Sequence, residues 1–173
     1  LQDLTQESQR FLQAIGRAED EAYRSMLEQS LRVFTRRVGD LLDAERASLF
    51  LGDREKQQLV LQVAQDAPQP GAIRIPLASG IAGAAATTGK TVRVADAYAD
   101  PRFNSEVDRA TNFHTPSVLC LPLHDTRGNV FAVTQLLNRR DGQPFDERDE
   151  QRFAEFAASL GVLLETLVGM ARR

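Results

Sequence analysis

One cysteine, no tryptophan and two histidines set the first limits on this chain. A single thiol, Cys120, excludes a disulfide within the chain. Together with His114 and His124 it is too small a ligand set for a metal cluster, so no metal is expected. No apolar run approaches the ~20 residues that cross a bilayer, which argues against membrane insertion. A net charge of −3 gives no global pull towards nucleic acid. No secretory leader is visible, and the reducing cytosol is the expected compartment. A glycine-rich triphosphate loop and a nucleophile with an evident base are missing as well, so no catalytic residue is assigned and no enzyme is expected.

What is present suits one globular domain: 173 residues, 42% hydrophobic and 26% charged, long enough to bury a core. Leu1 to about Ala44 is free of proline and reads as helix. Its second half carries Leu27, Leu31, Phe34, Val38 and Leu41 in alternating steps of four and three. The looser stripe from Leu1 to Ala18 implies a partner helix. Strands are expected at Ala47 to Leu51, Gln58 to Ala64, Ala72 to Leu77, Lys90 to Ala95, Ser117 to Leu123 and Val130 to Leu137. A loop runs from Asp66 to Gly71, and Asp125-Thr126-Arg127-Gly128 is a hairpin turn. Asp146 is the expected N-cap of a last helix, whose Phe153, Phe156, Leu160, Leu163, Leu167 and Met170 form a heptad seam. The fold class is therefore α+β, an antiparallel sheet with helices on its faces. The seam favours a parallel homodimer over a helix lying wholly on its own sheet.

The binding chemistry is expected in Ser79 to Thr115. A helix after Ser79-Gly80, built from Ile81, Ala82 and further alanines, ends at Thr88-Gly89. Its leading N–H groups lack partners within the helix and form an anion site. A second helix is expected from Ser105, with Ser105-x-x-Asp108 at capping-box spacing and Asp108, Thr111 and Thr115 on one face. Such polar faces are also simply solvated in many helices.

Four pieces of this region resemble the GAF domains that bind cyclic nucleotides: Ile73-Arg74-Ile75-Pro76, GIAGAAATTGK from Gly80 to Lys90, DAYADPRF from Asp96 to Phe103, and VDRATNFHT from Val107 to Thr115. Those domains occur in phosphodiesterases and in bacterial and cyanobacterial adenylate cyclases. Asn138, Arg139, Phe145, Asp149 and Glu150 match that subfamily's spaced Asn-Lys-Phe-Asp-Glu motif, with Arg in place of Lys. The resemblance runs from about Ala44 to Glu150. It implies a GAF fold with short ligand-side helices on one face of the sheet and long terminal helices on the other. The domain would span 1–173, with a core of about 26–150, a linker helix over 1–25, and a C-terminal helix over 146–173 leading to an output domain of a longer chain.

The resemblance also implies a site. Ile81 and Ala82 would cradle the phosphate, while Asn104, Asp108, Thr111, Phe113 and Thr115 line the ribose and base region and Ser48 contacts the base. Ser48 bonded to nearby backbone and Phe113 as ordinary core are the plain alternatives. Ala64 stands where some relatives stack an aromatic on the base, and Gln135 stands where a carboxylate is common. A lost ring would cost ~1–3 kcal/mol of stacking. Arg139 and Asp149 would form the ion pair that holds a lid over the pocket. Bilin attachment at Cys120 is disfavoured, because Leu121 follows it within a strand. The methionine sulfoxide reductases of this fold need several cysteines. The reading is a regulatory sensor for a cyclic nucleotide, cAMP favoured over cGMP from the cyclase-like motifs. The alternatives are a ligand-free dimerisation and relay module, or a sensor of another small molecule.

Overall fold

The computed structural model describes residues 21–64, 73–105, 108–109 and 112–170. The stripe from Leu1 to Ala18 and the loop from Asp66 to Gly71 lie outside the described residues, as do the side chains of Leu27, Leu160, Leu163, Leu167 and Met170. In chain order the elements are α1 (Glu21–Leu41), β1 (Ala44–Asp53), β2 (Gln58–Ala64), β3 (Arg74–Pro76), α2 (Gly80–Thr88), β4 (Val92–Val94), a 3-10 turn at Ala97–Ala99, β5 (Val118–His124), β6 (Val130–Arg139) and α3 (Glu147–Met170).

All strand pairings are antiparallel, in the order β3-β2-β1-β6-β5-β4. The alternation of side chains across each strand divides the core in two. Leu49 and Leu51 of β1, Leu119 and Leu121 of β5, and Leu136 of β6 face one way and meet Leu31, Val38 and Phe153 of the long helices. Phe50, Leu61, Val118 and Val133 face the other way and meet Ile81, Ala82, Ala85 and Ala86 of α2. This is the α+β architecture read from the sequence, with α1, α2 and α3, among the described residues, distributed over the two faces.

Several boundaries move for identifiable reasons. β1 begins at Ala44, because Ala44 and Arg46 already pair with Arg139 and Leu137 of the long central strand β6. The first helix stops at Leu41 because Asp43 takes a left-handed conformation, φ 54, that turns the chain into β1. The third and fourth strands shorten to Arg74–Pro76 and Val92–Val94; Pro76 has no N–H to extend a ladder.

The stripe on α1 also drifts. Leu31, Thr35, Val38 and Leu42 are buried and Phe34 half-buried, whereas Leu41 is 46% exposed. A strict heptad overshoots a straight helix of 3.6 residues per turn, and packing follows the helix. Thr35 is tolerated in the core because its hydroxyl donates to Leu31 O at 2.8 Å.

On α3, Phe153 is fully buried, and Phe156 meets Phe34 with ring centroids 6.2 Å apart. Ala157 and Gly161 continue the inward face, and a Cβ on Gly161 would lie 3.1 Å from His124 O. The predicted cap forms: Asp149 N–H donates to Asp146 Oδ1 at 3.0 Å, and Asp146 N–H donates to Asp149 Oδ2 at 2.9 Å. The bond from Asp149 N–H holds the Asp146 carboxyl below its usual range.

Candidate functional site

Between the sheet, the start of α2 and the segment 103–115 lies a cavity of about 210 Å³. Its floor is a cross-strand row of side chains on one face, Ala64 opposite Ser48 and Ser48 opposite Gln135, whose partner on the other side is the buried Cys120. Ser48 and Gln135 line the cavity beside the apolar Phe50, Leu61 and Val118.

One wall is the first turn of α2. Gly80 sits at φ 73, a conformation that glycine adopts without a Cβ clash. Helix geometry leaves the N–H groups of Gly80, Ile81 and Ala82 without an intrahelical carbonyl; the first closed turn is Gly83 N–H to Ser79 O at 3.2 Å. Ser79, Gly80, Ile81 and Ala82 all border the cavity, so partial positive charge opens onto it. Gly83 seats this helix: a Cβ there would lie 2.5 Å from Leu77 O, so only glycine permits this approach. Gly89, in the left-handed region at φ 67, ends the helix by donating its N–H to Ala85 O.

The roof is made by Phe103, Asn104, Asp108 and Phe113, with Arg46 reaching over from β1. The Arg46 guanidinium carbon stands 3.7 Å from the centre of the Phe113 ring, a cation–π contact that puts a cation at the cavity wall. Arg46 is a site residue that the motifs missed. It lies two residues before Ser48, so the period of a β-strand puts both on the same face once β1 is extended back to Ala44, beyond the strand expected from Ala47.

The second helix is not the one expected. Asp108 and Arg109 are helical, with Arg109 N–H donating to Ser105 O at 3.1 Å. Asn112 then turns left-handed at φ 52, and Phe113 N–H closes back onto Asp108 O at 3.0 Å. Thr115 therefore lies on an extended segment, not seven residues along a helix face. The capping box does not form either, because the Asp108 carboxylate faces away from the turn. Its Oδ1 accepts Thr115 Oγ1–H at 2.8 Å and its Oδ2 accepts Thr115 N–H at 3.0 Å. The same Oδ2 receives a short hydrogen bond from the Tyr98 hydroxyl, which raises the Tyr98 pKa. Tyr98 also stacks on His114, ring centroids 4.9 Å apart, and contacts His114 Nδ1 at 3.0 Å. Asp108 and Thr115 do meet, but through the turn at Asn112 and not along a helix face, which overturns the helical arrangement expected from their spacing.

Of the residues expected in the site, Ser48, Ala64, Ile81, Ala82, Asn104, Asp108, Phe113, Thr115 and Gln135 border the cavity. Thr111 lies outside the described residues. The five motif residues are elsewhere. Asn138, at φ 53, accepts Ser117 N–H at 3.2 Å and donates to His114 O at 2.7 Å and Glu45 Oε2 at 3.0 Å, which ties the segment after Phe113 to the sheet. Arg139 meets Asp149 at 3.2 Å and Asp141 at 2.6 Å, so the expected pair exists but braces the corner between β6 and α3. Phe145 is buried on the long-helix side, and Glu150 pairs with Arg93 at 3.2 Å. Between α2 and the roof, Arg102 forks onto Asp100 with bonds of 2.9 and 2.7 Å. That fork holds the Asp100 carboxyl down at about 2.

A family model for the GAF domain matches residues 26–164. The chain is 36% identical over 140 residues to the dual 3',5'-cyclic-AMP and -GMP phosphodiesterase 11 of Drosophila melanogaster, covering 72% of this chain and 10% of that protein. It is also 36% identical over 135 residues to the probable 3',5'-cyclic phosphodiesterase pde-5 of Caenorhabditis elegans, covering 72% of this chain and 18% of that protein. The chain thus spans less than a fifth of the length of these curated relatives. The crystal structure of the GAF domain from Acinetobacter phosphoenolpyruvate-protein phosphotransferase superposes with a TM-score of 0.70 at 20% identity, over 96% of each chain. On the family match, supported by the shared fold, the chain belongs to the GAF domain family.

Proposed function

We propose that this GAF domain is the ligand-sensing, non-catalytic part of a larger signalling protein and that its ligand is a cyclic purine nucleotide. The observation that carries the reading is the facing of the α2 start and the Ser48–Gln135 floor across one cavity. A cyclic nucleotide has a singly charged phosphodiester, a ribose and a flat base. The three leading N–H groups of α2 suit the phosphate. Ser48 and Gln135 suit a base edge, and the Phe103 and Phe113 rings suit a flat heterocycle. Arg46 adds a cation at the wall. The relatives named as cyclic-nucleotide phosphodiesterases support the same ligand class. Cyclic AMP and cyclic GMP, the two candidates, share phosphate and ribose and differ at the base.

The ligand would join α2, the floor and the roof, shifting a conformational equilibrium by its difference in affinity between the two states. The terminal helices would carry that shift to an output domain in the same, cytoplasmic chain, within a homodimer that pairs through those helices. Exposed Met26 and Val33 on α1 and Val162 on α3 are consistent with such pairing. A second reading, a relay module without ligand, draws on Asp108, whose oxygens are bonded to Thr115 and Tyr98.

A thermal shift with each nucleotide separates the two. At 100 times the dissociation constant a ligand adds ~2.7 kcal/mol, which raises the midpoint of a domain this size by roughly 5–11 °C. A rise with either nucleotide supports the sensor. Flat curves with both at millimolar concentration remove it for those ligands.

A further inference from the structure

We infer that Cys120 is a positioning residue that sets base preference, by holding the Gln135 amide nitrogen towards the cavity so that the floor accepts a 6-oxo purine over a 6-amino purine. The inference rests on the cyclic-nucleotide reading.

Cys120 and Gln135 are direct cross-strand partners on β5 and β6, and the thiol donates to Gln135 Oε1 at 3.3 Å. Cys120 is wholly buried, and burial pushes its thiol far above the ordinary range, so the sulfur keeps its proton and acts as a donor. A glutamine amide has one oxygen that accepts and one nitrogen with two protons to give. With the oxygen turned to the thiol, what Gln135 offers the cavity is the NH₂ group. Ser48, its neighbour on the other side, carries a hydroxyl that gives or takes a proton and so does not discriminate.

Guanine and hypoxanthine present O6 and N7, two acceptors, on the edge where adenine presents an N6 amino donor beside N7. A 6-amino group against the Gln135 NH₂ sets donor against donor in a partly desolvated place, and a site built to give a proton rejects the ligand that cannot take it. Cyclic GMP is therefore favoured over cyclic AMP, the reverse of the preference drawn from the cyclase-like motifs.

The test measures dissociation constants of the unmodified chain by calorimetry for cyclic IMP, cyclic AMP and cyclic GMP. Cyclic IMP and cyclic AMP differ at the 6-position and its accompanying N1 proton. The expected result is about tenfold tighter binding of cyclic IMP than of cyclic AMP. Gln135→Glu, which offers acceptors alone, reverses the order. Cys120→Ser, still a donor, keeps it, and Cys120→Ala brings the ratio near one. Equal affinities, or cyclic AMP the tighter, overturn the inference and leave the nucleotide reading standing. If none of the three binds, both fall. The infrared S–H stretch of the ligand-free chain tests the contact alone: it moves in Gln135→Leu if the thiol donates to the amide, and an unchanged band overturns the role given to Cys120.

Discussion

Thr115 gives two hydrogen bonds to Asp108, seven positions earlier in the chain, Oγ1–H to Oδ1 at 2.8 Å and N–H to Oδ2 at 3.0 Å. A charged acceptor with two local donors is among the stronger small contacts in a protein. Asp108→Ala leaves the nearly inaccessible Thr115 hydroxyl without its acceptor, while the Thr115 N–H keeps the Tyr98 hydroxyl at 3.0 Å, at an expected cost of ~1–3 kcal/mol. Asp108→Asn keeps the oxygen and loses less. Urea denaturation of the two variants checks the order, and equal stability of Asp108→Ala and the parent would show the contact to be idle.

Gly83→Ala is the sharper lesion. Its Cβ would lie 2.5 Å from a backbone oxygen that cannot swing aside, so α2 must shift away from Leu77. Overpacking of this sort costs ~1–3 kcal/mol. Because the displaced turn carries the leading N–H groups, nucleotide affinity should fall as well, whereas Gly128→Ala, on a hairpin with open space around it, should leave affinity alone. Calorimetry on both variants makes the comparison.

For Asp149 the motif and the geometry predict different things. As a lid clasp, its loss would weaken ligand binding. As the partner of Asp146 and Arg139 at the start of α3, its loss removes the reciprocal bond from Asp146 N–H, leaves the Asp146 cap itself in place, and leaves a half-buried arginine with fewer acceptors, at a cost of ~0.5–1.5 kcal/mol for the lost bond. The expected outcome for Asp149→Ala is a lower melting temperature with nucleotide affinity of the folded protein within about twofold. A large affinity loss at unchanged stability would restore the clasp.

Asp100 supplies a pH dependence. Its carboxyl is held at about 2, chiefly by the Arg102 side chain, against 3.8 for the free group. A carboxyl depressed in the folded state stabilises above its unfolded value, and that contribution disappears as pH falls through the folded one. The window is therefore about pH 4 down to 2. An NMR titration of the Asp100 carboxyl should show its midpoint near the bottom of that window in the parent and a higher one in Arg102→Ala.

The strands were legible because β1, β2, β5 and β6 are dense in Val, Leu and Phe, and the two-residue period assigns each side chain to a face. Ala64, Ser48 and Gln135 fell in one row for that reason. What escaped were features set by a single backbone angle. Asp43, just after α1, and Asn112, just before Phe113, each take positive φ, a conformation that asparagine and aspartate tolerate without announcing it. The role of Asp108 escaped because its partner Tyr98 comes from another loop, and no spacing rule encodes that meeting. Arg46 escaped because the strand was read from Ala47, whereas β1 begins at Ala44.

Ala44 and Arg139 are paired neighbours, and Arg140 N–H donates to Asp43 O at 2.8 Å. The strand arriving from α1 and the strand leaving towards α3 are thus seamed together at one end of the sheet. Ser48 and Gln135 sit four residues up that seam, about 13 Å away, past an irregularity at Asn138, which at φ 53 donates its N–H to Ser117 O instead of to β1. A slip between the two middle strands would reach the first long rod across Leu42 and Asp43, and the second across residues 140–146, a stretch braced by Arg139 on Asp149.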